Sequence, residues 1–63
     1  MEYGAQILIP IEDWPRGRAK AEDVLRKALS AKGVIHPVIE SPQFIFHDGT
    51  WVYGLNAWGD SDW

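Results

Sequence analysis

The chain has no cysteine among its 63 residues, and it has no lysine or arginine outside the stretch Trp14–Gly33. The first absence excludes disulfides and thiolate metal sites and suits a reducing compartment. The second divides the charge by segment. All six cations, Arg16, Arg18, Lys20, Arg26, Lys27 and Lys32, fall inside that stretch, whereas of the nine acids only Glu22 and Asp23 do, leaving seven elsewhere. A long apolar run is missing too. The longest, Ile7 to Ile11, is interrupted by Pro10 and falls far short of the roughly 20 residues that span a bilayer, so no membrane association is expected. The opening MEYGAQ has an early acid and neither the basic region nor the apolar core of a signal peptide, which makes a cytoplasmic protein the expectation.

The usual signatures of catalysis are also absent. Gly17 in PRGRA is solitary and forms no phosphate-cradling loop. Ser30, Ser41 and Ser61 stand in no nucleophile-elbow context. His36 lies beside a proline and His47 beside a turn, without the spaced set of further ligands that a metal needs. A pocket on the order of 300 Å³ is hard to enclose within so short a chain unless subunits share it. We therefore expect no enzyme, no metal and no cofactor.

What is present is a helix with marked ends. Ala21, Val24, Leu25, Ala28 and Leu29 follow the i, i+3, i+4, i+7, i+8 spacing that puts them on one side of a 3.6-residue repeat. Asp13 is placed to cap the first turn, Pro15 suits a position that needs no donor, and Gly33 can take the left-handed conformation that ends a helix. On the outer side Glu22 precedes Arg26, and Asp23 precedes Lys27, by four residues, the favourable orientation for surface pairs.

Strands flank this helix. Tyr3, Ala5, Ile7, Ile9 and Ile11 alternate with Gly4, Gln6, Leu8 and Pro10, the period of a half-buried strand that stops pairing at its proline. Val34–Ile39 is β-branched but broken by Pro37, which reads as a short edge strand. Asp48-Gly49 separates two apolar runs and predicts a two-residue hairpin pairing His47 with Thr50, Phe46 with Trp51, Ile45 with Val52 and Phe44 with Tyr53. The final LNAWGDSDW has no clear period, and residues 56–63 read as a flexible acidic and aromatic tail. The expectation is a single α+β domain over residues 1–63 in the order β-α-β-β-β, its amphipathic helix packed on one face of a three- to four-stranded, mostly antiparallel sheet.

Below roughly 70–80 residues a single core seldom supplies more than about 3–5 kcal/mol. Heavy aromatic packing or self-association must compensate. The alanine-rich helix stripe leaves space for bulky neighbours, so Phe44, Phe46, Trp51 and Tyr53 are expected against it, with Ile45, Val52 and Leu8 on the uncovered face.

Three functions fit these features. The first is a protein-interaction module, an inhibitor or adaptor of the kind a phage accessory protein supplies, using Trp58, Asp60, Asp62 and Trp63 as anchors with negative charge, and Ile45 and Val52 as an apolar patch. The second is a homo-oligomer that encloses a small ligand between uncovered sheet faces. The third is nucleic-acid binding through Arg16, Arg18, Lys20, Arg26 and Lys27, against which Glu22 and Asp23 interrupt the positive face. Another protein is the expected partner.

Overall fold

The computed structural model describes residues 1–61. Strand β1 (Glu2–Pro10) leads through one 3-10 turn (Ile11–Asp13) into helix α1 (Trp14–Ser30), followed by β2 (Val38–Ile39), β3 (Gln43–His47) and β4 (Thr50–Asp60). One helix packs on a four-stranded antiparallel sheet, in the expected order β-α-β-β-β.

The sheet is organised around β4, which pairs with β1 from Pro10↔Val52 to Glu2↔Asp60. Its other edge is shared, with β3 beside Thr50–Gly54 and β2 beside Ala57 and Trp58. This corrects the expected tail: Leu55–Asp60 is the second half of the central strand. Gly54, Asn56, Ala57, Gly59 and Asp60 are weak strand formers taken singly, and the unbroken pairing with β1, joined by β3 at Gly54 and β2 at Ala57, overrides that weakness. Asp62 and Trp63 lie outside the described residues.

The hairpin has the register expected, from His47↔Thr50 to Phe44↔Tyr53. Asp48 (φ 49°) and Gly49 (φ 79°) both take positive φ, as a turn matching the twist of two strands requires. The second strand is shorter than expected. Val34–Pro37 is not in it, because the Val34 N–H donates to the Leu29 carbonyl (3.0 Å) and Pro37 has no N–H to give.

At its C-terminus α1 closes as the sequence suggested. Gly33 takes φ 88°, and its N–H donates to the Ser30 carbonyl at 2.9 Å. Together with the Val34 bond this satisfies two carbonyls of the last turn and brings Val34 against Leu29 in the core. The N-terminus differs from expectation. Asp13 makes no side-chain cap and sits at φ −94°, ψ −7°, because the 3-10 turn already carries it into helical geometry. Pro15 does occupy the first turn.

The buried stripe is narrower than the periodicity implied. Ala21, Leu25 and Leu29 are buried, but Val24 (46% exposed) and Ala28 are not. A single helix on a sheet covers itself along one line, and among the described residues no second helix shields the flank that carries Val24. The core is Ile9, Ala21, Leu25, Leu29, Val34, Leu55 and Ala57, with Tyr3, Ala5, Ile7, Trp14 and Ile39 packed around it.

The larger correction concerns the aromatics. Phe44, Phe46, Trp51 and Tyr53 do share the helix side of the sheet, yet Phe44, Phe46 and Trp51 are 60%, 61% and 54% exposed. Lengths explain this. The 17 residues of α1 span about 26 Å and the 11 of β4 about 36 Å. The sheet therefore outruns the helix by roughly three residues at the hairpin, which uncovers Trp51 and Phe46, and Phe44, level with Tyr53, is uncovered because α1 packs mainly on β1 and β4 rather than on β3.

Candidate functional site

The uncovered end of the sheet carries a continuous row of rings. It begins where the helix stops, with Trp14 tilted against Tyr53 at 4.7 Å between centroids. Tyr53 stacks on Phe44 at 4.7 Å. Trp51 then meets Phe44 edge-on at 6.4 Å and Phe46 edge-on at 5.3 Å. Each of these contacts lies within the range in which offset and edge-to-face rings attract. The rings are therefore fixed by one another and by the hairpin register rather than by burial.

Ile11 completes the site. Following β1 on the same side of the sheet, it forms with Phe44 and Trp51 an apolar concavity of about 440 Å³. No lysine or arginine lies in the hairpin, whose only charged side chain is the exposed Asp48, with His47 Nε2 at 3.3 Å. At the helix end of the row the Arg18 guanidinium lies 5.6 Å from the Trp14 ring, with its Nε 3.7 Å from Glu22. At 150–250 Å² per aromatic side chain, the exposed fractions of Phe44, Phe46 and Trp51 leave roughly 250–450 Å² of ring surface in water. That is comparable to the largest apolar patch on a typical monomer, about 300–600 Å².

The residues nominated from sequence are dispersed. Trp58 (41% exposed) lies on the opposite, open face between Gly4 and Val38, its register partners. It shares a shallow concavity with Gly4, Gln6 and Asn56. Ile45 and Val52 lie on the same face but six residues along the strand, roughly 20 Å away. Val52 is only 7% exposed, so it serves packing rather than contact, and Ile45 is half-buried because its side chain lies over Gly54. Asp60 stands at the end of β4 opposite Glu2. Asp62 and Trp63 fall outside the described residues.

Arg16, Arg18, Lys20, Arg26 and Lys27 are all exposed on α1. The expected pairs form, Arg26 with Glu22 at 3.9 Å and Lys27 with Asp23 at 2.9 Å. Arg18 joins Glu22 as well, so three of the five cations face an acid. Among the described residues no group of three or more His, Cys, Asp or Glu side chains is arranged to hold a metal ion. No described helix is long and apolar enough to cross a membrane.

Comparison with protein-family models, with curated proteins and with solved structures finds no match to this chain.

The sequence reading took Phe44, Phe46 and Trp51 for core and so missed the best-defined surface feature. The stop at Pro10 and the returning helix were legible, but that Pro10 lies opposite Val52, which leaves Trp51 and its partner Phe46 beyond the helix, was not.

Proposed function

We propose that this chain is a protein-interaction module that docks the aromatic end of its hairpin, with Phe44, Phe46 and Trp51 as anchors, on an apolar surface of another protein. The observation that carries this reading is the exposure of those three rings in one contiguous, uncharged row. Large aromatics are the side chains most often found to dominate binding energy, and rings already held by neighbours lose little freedom on docking. Such a module acts by occupancy, as an inhibitor or adaptor does. Single-strand nucleic acid would also stack on rings, but stacking platforms lie in positively charged grooves, and this hairpin supplies no cation.

The test compares native bait with Phe46→Ala and Trp51→Ala baits in extracts of the source cell. A protein recovered by the native chain is then purified and its affinity measured by calorimetry. Both variants should keep a melting temperature near that of the native chain, since the rings are more than half exposed. They should lose about tenfold or more in affinity, the 1.4 kcal/mol or more expected of a hot-spot aromatic. Unchanged affinity in both variants, recovery of nucleic acid alone, or turnover of a small substrate by the purified chain would overturn the reading.

A further inference from the structure

We infer that β3 is a self-pairing edge through which two copies of this chain join into one continuous sheet, with a two-fold axis at Ile45. The backbone bonding phase of the hairpin leaves this edge open. Residues flanking a two-residue turn form a bonded pair, so His47↔Thr50, Ile45↔Val52 and Gln43↔Gly54 are bonded pairs, and the N–H and C=O groups of Phe44 and Phe46 point away from β4. The same phase appears further along that side of β4, where the Asn56 carbonyl accepts from the Glu40 N–H at 2.9 Å. No strand of the described residues pairs with the outer edge of β3.

Edge strands are ordinarily guarded by charge, proline, a bulge or shortness. Strand β2 has only two residues, between Pro37 and Glu40, and β1 ends in Pro10. A copy laid antiparallel along the whole of β1 would set Pro10, which has no N–H, opposite Glu2. Strand β3, QFIFH, has none of these guards within its five residues, where its pairing with β4 is unbroken by a bulge; Pro42 before it and Asp48 after it limit any copy to those five.

Its sequence is also symmetric about Ile45. An antiparallel copy centred there sets Phe44 opposite Phe46 of the second chain, and the reverse, with all four outward backbone groups of each strand engaged. Ile45 meets Ile45, and Gln43 meets His47, at non-bonded pairs where side chains come closest. Any other registration that keeps the bonding phase leaves a phenylalanine unpaired. This isologous contact closes on itself, so it ends at a dimer. Five residues a side cover well under the ~800 Å² per partner of a standard interface, the size class of weak, transient contacts. It lays two aromatic rows side by side, which deepens the interaction reading and rests on it for its use, though not for its geometry.

The experiment is sedimentation equilibrium from micromolar to millimolar chain. The native protein should pass from monomer to dimer within that range, without larger species. Gln43 and His47 are exposed, so charges can be placed there without disturbing the core. Gln43→Lys with His47→Lys puts like charges at both cross-chain pairs and should weaken the dimer about tenfold. Gln43→Lys with His47→Glu puts opposite charges there and should restore it. Because the chain has no cysteine, a single thiol reports register: Ile45→Cys should cross-link under mild oxidation. Gln43→Cys should not, since its symmetry mate lies about 13 Å away, beyond the reach of a disulfide.

A monomer throughout, equal dimerisation of the two charge variants, or equal cross-linking at positions 43 and 45 would overturn the pairing. A monomer that still binds its partner through Trp51 would overturn the dimer alone. A dimer whose partner affinity is indifferent to Trp51→Ala would support the dimer and overturn the docking reading.

Discussion

Val34 occupies the space that Gly59 leaves on the helix side of β4: a Cβ at Gly59 would stand 2.6 Å from Val34 Cγ1. Val34 is fixed there by its backbone bond to the end of α1 and is 1% exposed. It cannot retreat without moving the helix terminus. Gly59→Ala should therefore destabilise the fold by about 1–3 kcal/mol, the usual cost of overpacking a filled site. Gly54→Ala should cost less, because the group in its way is the tip of Ile45, which can turn outward to solvent. Denaturant melts of the two variants give the comparison, and equal losses would show that the Val34 contact is not rigid.

The narrow buried stripe of α1 predicts a contrast between adjacent residues. Leu25 is 1% exposed and Val24 is 46% exposed. Leu25→Ala should cost roughly 2–5 kcal/mol, which in a domain this small can consume the whole stability. Val24→Ala should stay within about 0.5 kcal/mol, as surface substitutions do. Thermal unfolding followed by circular dichroism separates the two, and a comparable loss at Val24 would mean that a second surface covers that flank.

Glu2 and Asp60 are direct cross-strand partners at the far end of the β1–β4 ladder, so two acids share one pair position. Like charges opposite one another destabilise a sheet. Glu2→Lys should replace repulsion with attraction and raise stability by about 0.2–1 kcal/mol, more at low ionic strength than at high. A melting temperature that does not rise at low salt would count against this pairing in solution.

The sequence carried the local structure further than the global. Asp48-Gly49 determined the hairpin register by itself, because both turn residues must accept positive φ and the pairs follow by counting outward. Gly33 likewise marked the end of α1. What could not be read was the second half of β4, since Asn56, Ala57 and Gly59 form a strand only when β1 runs beside all three and β2 beside Ala57. The exposure of Phe46 and Trp51 was missed for a related reason. Residue type says that a ring favours burial, but whether anything covers it depends on how far α1 reaches along the sheet. The anchors chosen from composition, Trp58 and Asp60, are separated from the ring row by the sheet itself, because even-numbered residues of β4 face away from α1.

The central position of β4 makes truncation after Leu55 disruptive. Read as a tail, residues 56–63 would be dispensable for folding. As the C-terminal half of the central strand they are not. Cutting there removes the partners of Glu2, Tyr3, Gly4, Ala5 and Gln6 and both partners of β2. It also deletes Ala57 from the core and Gly59 from beneath Val34. What remains is a hairpin with four residues of β1 beside it and a helix whose Leu29 end has lost its floor. An isolated two-stranded ribbon is marginal in water, and a third strand without an intact hydrophobic face adds little. The truncated chain should therefore show no cooperative thermal transition and a far-ultraviolet spectrum with most of its helix signal lost. A cooperative melt near that of the full chain would mean that β1 and α1 hold together without the second half of the central strand and that Ala57 and Gly59 are not needed to close the core.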